Sequence, residues 1–323
     1  MNEQPYHALS PETVLAAIDS AGFATDGRLH ALASYENRVY QVGIEDAPPI
    51  VAKFYRPQRW SDAEILEEHA FIHELVEHEL PCVPPIASPH GDTLYRYESF
   101  RFAVFPRQGG HAPNLENPDN LVMIGRTLAR IHAVGRSRRF VHRPRLDAER
   151  MGHASRRFLL EHDFLPKELE TAYSTVTEHL LARLDRFTLP VGGRIHGDCH
   201  PGNVLWRDDA PHFVDFDDSV TGPAVQDLWM LLSGERADRL GQISELLEGY
   251  EQFFAFDDAE LALIEPLRTL RIMHHAAWIA RRWHDPAFPR AFPWFNTMKY
   301  WSEHVLELRE QQAALDEPPL KAT

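Results

Sequence analysis

The segment RIHGDCHPGNVLWRDDAPHFVDFDD, residues 194–218, constrains the fold and function of this chain more than any other stretch. It contains His196, then Asp198, then Asn203 five residues after Asp198, and Asp215 twelve residues after Asn203. Between Asn203 and Asp215, the apolar stretches VLW and HFVDF flank a polar turn, which predicts a β-hairpin. Such a hairpin would return Asp215 to the vicinity of Asp198 and Asn203.

Two carboxylates and an amide at this spacing suit phosphoryl transfer. That reaction needs a group that orients the attacking hydroxyl and accepts its proton, and it needs hard oxygen ligands for the Mg²⁺ that bridges the phosphates. Asp198 is therefore the candidate catalytic base. Asn203 and Asp215 are the candidate Mg²⁺ ligands, which also places Asp215 in the catalytic group. Gly202 is expected to let the backbone turn just before Asn203.

Two other interpretations of the segment stay open. Asp and Asn favour turns, so an ordinary surface loop would also contain them, although the apolar strand and second Asp argue against it. His196, Cys199, His200 and His212 are zinc-type ligands, but the segment lacks a paired C-x-x-C knuckle. We expect His196 to brace the loop through hydrogen bonds. Cys199 is expected to be a small packing residue, with a regulatory thiol as the alternative.

The sequence before this segment predicts a lobe of mixed helix and strand. Ser10 and Ser61 are the expected N-caps of two helices. The second helix would bury a stripe formed by Ile65, Ile72, Leu75 and Val76. The predicted helices cover residues 10–22 and 61–79, and the predicted strands cover 38–44, 49–55, 93–97 and 100–106.

After the linker-like RQGGHAPN the sequence is largely helical. The apolar residues of the first long helix fall on one face, at Leu121, Ile124, Leu128 and Ile131. Further helical patterns cover residues 154–187, 223–256, 258–284 and 297–314. The fold class is therefore α+β and bilobal. We expect an N-terminal lobe over residues 1–105 and a helical lobe over 106–323 that carries the catalytic loop, 194–218.

The composition limits the classes of function. With 323 residues, 44% of them hydrophobic, the chain can bury a core in each of two lobes. No apolar run approaches the ~18 residues of a membrane span, and the N-terminus lacks the features of a secretory signal. A net charge of −15 disfavours non-specific nucleic-acid binding, whereas local donors and Mg²⁺ can still hold ATP. Because there are only two cysteines, we expect a cytoplasmic protein without a disulfide framework.

Several stretches together resemble a known family. HGDCHPGNVLW and FVDFDD resemble the catalytic loop and metal-binding segment of the aminoglycoside phosphotransferase/choline kinase superfamily, whose fold is protein-kinase-like. SYENRVYQV, VAKFYRP, ILEEH, FAVFP, GPAVQDLWMLL, IEPLR and RRWHDPAFP resemble the bacterial stress response kinase A family, and the matches run from about residue 30 to 296. The resemblance implies a cytoplasmic, ATP- and Mg²⁺-dependent serine/threonine protein kinase of the stress response that also phosphorylates itself.

The resemblance also implies roles for individual residues. Asp198 resembles the proton acceptor, and Asn203 and Asp215 resemble the Mg²⁺ ligands. Lys53 resembles the lysine that pairs with the α- and β-phosphates of ATP. Glu68 resembles the helix carboxylate that holds this lysine; Glu67 is adjacent, so only one of the two can face it.

Further ATP contacts are implied in the N-terminal lobe. Ser34 resembles the residue of the phosphate-covering loop that approaches ATP. That loop has no G-x-G-x-x-G, so Ser34, Asn37 and backbone amides are expected to hold the phosphates. FAVFP, with Val104 and Phe105, resembles the hinge that receives adenine through backbone hydrogen bonds. Asp227, in the helical lobe, resembles the buried carboxylate that braces the catalytic loop.

The acceptor is less constrained than the reaction. The metal segment reads DFDD, whereas eukaryotic protein kinases have D-F-G. The small-molecule phosphotransferases of the superfamily share this departure from D-F-G. A protein with Ser/Thr acceptors is the first expectation, and a kinase of an amino alcohol, sugar or antibiotic is the alternative. A third possibility is a nucleotide-binding scaffold without catalytic activity. Retention of Lys53 and Asp198 argues against it. We expect a monomer, and we expect His274 and His275 to lie in the core or the cleft wall.

Overall fold

The computed structural model describes residues 5–320. Helix α1 (Pro11–Ser20) begins as predicted, because Ser10 Oγ accepts a hydrogen bond from the Thr13 amide at 3.2 Å. Five strands then form one antiparallel sheet in the order β1-β2-β3-β5-β4. Their bounds are β1 Thr25–Ala31, β2 Arg38–Ile44, β3 Ala47–Phe54, β4 Tyr95–Tyr97 and β5 Phe100–Pro106.

Helix α2 (Asp62–Glu77) connects this sheet to the helical part of the molecule. It begins at a capping box, in which the Ser61 side chain and the Glu64 carboxylate each bond the other residue's amide. Toward its start Ile65 packs with Tyr55 under the sheet, whereas Phe71 is buried in the large helical core. Val76 is exposed, so its assignment to the apolar stripe was wrong.

The rest of the described chain is mostly helical. The predicted apolar face of its first helix is confirmed, since Leu121, Ile124, Leu128 and Ile131 are all buried. The helices are α3 Pro118–Ser137, α4 Ala154–Glu161, α5 Lys167–Leu184, α6 Val225–Trp229, α7 Arg236–Tyr250, α8 Ile264–Arg281, α9 Ala287–Ala291 and α10 Met298–Ala314. They surround one hydrophobic core that also takes in the strands described next.

Two short antiparallel ribbons interrupt the helices. One pairs β6 (Gly193–Ile195) with β9 (Val220–Gly222). The other is the predicted hairpin, β7 (Val204–Arg207) with β8 (Ala210–Phe213). Its turn is only Asp208 and Asp209, whose φ angles of 50° and 57° suit a tight hairpin and are tolerated by Asp.

The α+β class is confirmed, and the differences from prediction are local. Strand β1 was missed because TDGRLHA has no apolar alternation and lies mostly exposed. The helix predicted over 154–187 breaks between α4 and α5, before Pro166, and the one over 223–256 breaks between α6 and α7. The lobe boundary at 105/106 remains our proposal; β5 ends at Pro106. Within residues 5–320, no helix is both long and apolar enough to cross a membrane.

Candidate active site

A buried carboxylate fixes the backbone of the loop that follows β6. Asp227, on α6 and fully buried, accepts the amides of His196 and Gly197, each at 2.8 Å. His132 on α3 contacts the same carboxylate at 3.0 Å. Gly197 has a φ of 83°, and a Cβ there would lie 2.3 Å from the Asp218 carbonyl oxygen, so only glycine fits. The loop backbone is therefore fixed by contacts that do not involve solvent.

The His196 side chain is buried against the end of the β7–β8 hairpin. Its Nε2 lies 2.9 Å from the Val214 carbonyl oxygen, and its Nδ1 lies 3.4 Å from the Asp198 amide. A ring that donates from Nε2 and accepts at Nδ1 satisfies both partners. The geometry connects the loop to the hairpin, as expected of a bracing residue.

Asp198 and Asn203 lie at opposite ends of this loop and are linked through it. Asn203 Nδ2 donates to the Asp198 carbonyl oxygen at 2.9 Å, which leaves the Asn203 amide oxygen free of hydrogen bonds within residues 5–320. The Asp198 carboxylate is partly exposed, with one oxygen 2.8 Å from Arg271 Nη2 and the other 3.7 Å from His200 Nε2. The backbone turns at Gly202, in a short 3-10 helix over Pro201–Asn203 and without a positive φ, and a Cβ there would lie 2.7 Å from the His200 ring.

Asp215 follows β8 in a left-handed backbone conformation, with φ 59° and ψ 64°. This region is uncommon for residues other than glycine, although Asp tolerates it. It leaves the Asp215 side chain 55% exposed toward Lys53, whose Nζ lies 2.9 Å from Oδ1. The Val214 amide donates to the Asn203 carbonyl at 3.1 Å, so the hairpin returns Asp215 to the vicinity of the loop, as the spacing predicts.

Lys53 lies on β3 and is only 6% exposed. Three carboxylates surround its Nζ, at 2.9 Å for Asp215, 3.1 Å for Asp217 and 3.6 Å for Glu68. Burial by itself would lower the pKa of Lys53, but these carboxylates outweigh it and raise the pKa well above its ordinary value. The lysine is therefore a buried, permanently charged group at the centre of the site.

The two adjacent glutamates of α2 have separate partners. Glu68 is buried and faces Lys53, while its second oxygen lies 3.5 Å from Arg143 Nη1. Glu67 instead accepts the backbone amides of Val141, His142 and Arg143, at 2.6, 2.8 and 2.8 Å. The carboxylate that holds Lys53 is thus Glu68, and Glu67 fixes the segment after α3.

We expect Glu68→Gln to flatten the pH dependence of stability between about pH 4.5 and 7. Burial raises the pKa of Glu68 to about 7 in the folded protein, despite Lys53, against 4.5 as the ordinary value. Folding therefore takes up a proton at Glu68 in this pH window. The contribution of Glu68 to the free energy of unfolding is complete below about pH 4.5 and is lost as the pH rises through about 7. The free energy of unfolding in urea, measured for the wild type and the variant at about pH 5 and about pH 7.5, tests this expectation. An equal wild-type-to-variant difference at both pH values would contradict the assignment.

Arg59 and Asp217, which the sequence analysis did not single out, complete the site. Asp217 is buried between Arg59, Lys53 and Asn37, and the Asn37 amide donates to it at 3.0 Å. Burial would raise the pKa of Asp217, but Arg59, Lys53 and Arg143 hold it well below its ordinary value. Arg59 also contacts Asp218 at 2.6 Å. Asn37 Oδ1 accepts the Arg56 amide, so both the oxygen and the nitrogen of the Asn37 side chain have partners in the protein.

The loop between β1 and β2 is held against the helical part by a second set of charges. Glu36 accepts a hydrogen bond from Trp278 Nε1 at 2.5 Å and one from Arg282 Nε at 3.0 Å. Arg56 contacts Asp285 at 2.7 Å. Ser34, half-buried in the same loop, donates to the Asn37 carbonyl at 3.2 Å. Ser34 is thus bonded to the backbone of Asn37, whose side chain contacts Asp217.

The proposed hinge residues lie inside β5. Val104 is paired with Ala52, packs on the α1 side of the sheet, and has its carbonyl taken by the Ile86 amide at 2.7 Å. Phe105 is half-buried on the other face, with Ala103, the partner of Lys53. A nucleotide base at this strand would therefore meet Phe105 and the backbone that follows it rather than the Val104 side chain.

The donor set suits a magnesium ion better than zinc. The free amide oxygen of Asn203 and the exposed carboxylate of Asp215 are hard oxygen ligands that leave positions for phosphate and water. In the described part of the chain, no three His, Cys, Asp or Glu side chains come together as a metal site. Cys199 is buried, and burial with Asp227 and Asp198 nearby raises its pKa well above the ordinary value, which fits packing rather than a reactive thiol.

Comparison with known proteins gives the class to which this fold and site belong. Residues 28–264 match the model of the phosphotransferase enzyme family. Among solved structures, amicoumacin kinase in complex with AMP-PNP and Ca²⁺ superposes with a TM-score of 0.74 at 20% identity, over 96% of this chain and 94% of the other. The chain is a phosphotransferase with the fold of that family.

Other known proteins are more similar to this chain in sequence. Stress response kinase A of Escherichia coli K12 is 44% identical over 98% of this chain and 97% of its own length. Serine/threonine protein kinase RdoA of Salmonella typhimurium is 43% identical over 100% and 98%. The chain belongs to the stress response kinase A family.

Proposed function

We propose that this phosphotransferase is an ATP- and Mg²⁺-dependent serine/threonine protein kinase. The observation that carries the proposal is the 2.9 Å contact between Lys53 of the N-terminal sheet and Asp215 at the end of the catalytic hairpin. It brings a cation suited to phosphates and a carboxylate suited to Mg²⁺ to one point. The partly exposed Asp198 and the free amide oxygen of Asn203 lie on the loop that the same hairpin supports.

The nucleotide would occupy the cleft between β3 and the catalytic loop. Lys53, kept in place by Glu68, would exchange its contacts with Asp215 and Asp217 for the α- and β-phosphates. Ser34 would approach the phosphates from the loop between β1 and β2. Adenine would lie against Phe105 and the backbone after Val104. Mg²⁺ held by Asn203 and Asp215 would neutralise the phosphate charge.

Asp198 would act on the acceptor. Its carboxylate accepts the proton of a serine or threonine hydroxyl while that oxygen bonds to the γ-phosphorus and the bond to the ADP oxygen breaks. The products are a phosphoester and ADP, and the proton leaves Asp198 to solvent. His196 and Asp227 would position Asp198 by holding the loop backbone, since neither faces the cleft.

A protein acceptor is supported by the relatives at 43–44% identity, one of which is named a serine/threonine protein kinase. We further propose a monomeric cytoplasmic enzyme of the stress response that phosphorylates itself. The second candidate is a small-molecule kinase, favoured by the amicoumacin kinase whose fold this chain shares.

Incubation with γ-labelled ATP and Mg²⁺, with and without an added protein acceptor, separates the two candidates. We expect acid-stable label on serine or threonine of the enzyme, the added protein or both. Label on neither, together with ADP release stimulated by a hydroxylated small molecule, would contradict the protein-kinase proposal. Asp198→Asn should lose the label. Its matched control is Asp209→Asn, which removes an exposed carboxylate in the β7–β8 turn and should label like the wild type.

A further inference from the structure

Helix α8 forms one wall of the cleft. Arg271, near its middle, contacts the Asp198 carboxylate at 2.8 Å, and Trp278, two turns later, contacts Glu36 of the loop before β2 at 2.5 Å. The helix therefore spans from the candidate base to the loop that carries Ser34. An acceptor hydroxyl that reaches Asp198 lies against this wall, beside Arg271.

The wall is basic, although the whole chain has a net charge of −15. Arg271 is 37% exposed, and Arg268 lies one turn before it on the same helix. Arg150 and His274 lie close by, and burial together with the cations Arg150, Arg281 and Arg271 lowers the pKa of His274 to about 3. Burial is the largest cause of this shift and the arginines add to it, so positive charge lies around His274.

Two buried donors near this wall have no hydrogen-bond partner within the described chain. They are Nη2 of Arg268 and Nε of Arg150. The nearby carboxylates are already engaged: Asp218 by Arg59 at 2.6 Å, and Glu265 by Arg239 at 3.3 Å and Arg268 at 3.2 Å. Arg271, Arg268 and Arg150 therefore share few free carboxylates, which suits the wall to an anionic group of a ligand.

We propose that Arg271, with Arg268 beside it, selects an acidic acceptor: a peptide whose serine or threonine is flanked by carboxylates. The inference rests on the proposed function and names its substrate class. A flanking carboxylate that pairs with Arg271 would free the Asp198 oxygen that Arg271 now contacts, so that Asp198 can accept the hydroxyl proton. A cationic acceptor, such as an amino alcohol, would be repelled by the same guanidinium.

The test uses three peptides with one central serine that differ only in flanking Glu, Gln or Lys residues. We expect the wild type to favour the Glu peptide over the Gln peptide by roughly tenfold in kcat/KM, and to use the Lys peptide least. Arg271→Gln should reduce the Glu-to-Gln ratio to within about twofold and leave KM for ATP unchanged, because Arg271 contacts Asp198 and not the residues proposed to hold the nucleotide. Arg309→Gln, an exposed arginine of α10, is the matched control and should keep the wild-type ratio.

Binding separates this inference from the proposed function. Fluorescent peptides with alanine in place of serine cannot be phosphorylated, so their affinity reports docking even if no peptide is a substrate. We expect Arg271→Gln, and independently Arg268→Gln, to weaken binding of the Glu peptide several-fold. Wild-type binding that does not distinguish Glu from Lys flanks, or an affinity unchanged in both folded variants, overturns the inference. Absence of peptide phosphorylation with this binding preference intact overturns only the protein-kinase proposal.

Discussion

Asp198→Asn is expected to lower kcat by ~10² or more while Mg·ATP still binds with near wild-type affinity. The substitution removes the group that accepts the hydroxyl proton but preserves the shape of the side chain. The loop should keep its conformation because its backbone is fixed by Asp227 and His196, not by the Asp198 carboxylate. Steady-state ADP release with a phosphorylated acceptor measures kcat, and calorimetry measures ATP binding.

The control for this experiment is again Asp209→Asn, which makes the same chemical change at an exposed turn. Its kcat should equal that of the wild type. Wild-type turnover in Asp198→Asn would show that another group accepts the proton. A variant that loses ATP binding as well would show that Asp198 shapes the nucleotide site rather than acting on the acceptor.

The second large effect is expected at Asp215. Asp215→Asn should remove the increase in ATP affinity that Mg²⁺ produces in the wild type, by roughly tenfold or more, because an anionic metal ligand is lost. Asn is the suitable replacement because the φ of 59° at this position is tolerated by Asn. Calorimetric titration of ATP at increasing Mg²⁺ measures the effect.

Asp215→Ala is the companion variant, since it adds backbone strain to the loss of charge. If the two variants lose the Mg²⁺ response equally, the charge is responsible. A lower melting temperature in Asp215→Ala alone would report the strain. A Mg²⁺ titration that matches the wild type in both variants would contradict the assignment of Asp215 as a metal ligand.

The parts of the fold that the sequence predicts well are those set by neighbouring residues. Ser10 and Ser61 cap helices because the hydroxyl needs only an amide three residues away. The β7–β8 hairpin follows from two short apolar runs around a polar turn. In the same way, the spacing of Asp198, Asn203 and Asp215 predicts their proximity, because one hairpin joins them.

The contacts that the sequence does not predict join distant segments. Arg59 and Asp217 are 158 positions apart, and no spacing rule relates them. The nearest signal was local: Asp217 and Asp218 follow the candidate metal ligand in DFDD, and an acidic residue that becomes buried, as Asp217 does, needs cations. Arg271 lies on a helix whose apolar periodicity says nothing about the partner of its polar face. Its contact with Asp198 depends on how α8 packs against the catalytic loop.

A crystal structure with Mg²⁺ and a non-hydrolysable ATP analogue tests the central claim most directly. We predict a metal ion bound by Asn203 Oδ1 and Asp215, Lys53 Nζ on the α- and β-phosphates, and the Asp198 carboxylate facing the γ-phosphate with room for a hydroxyl between them. A nucleotide bound elsewhere, or a metal ion held without Asn203 and Asp215, would contradict the proposed site.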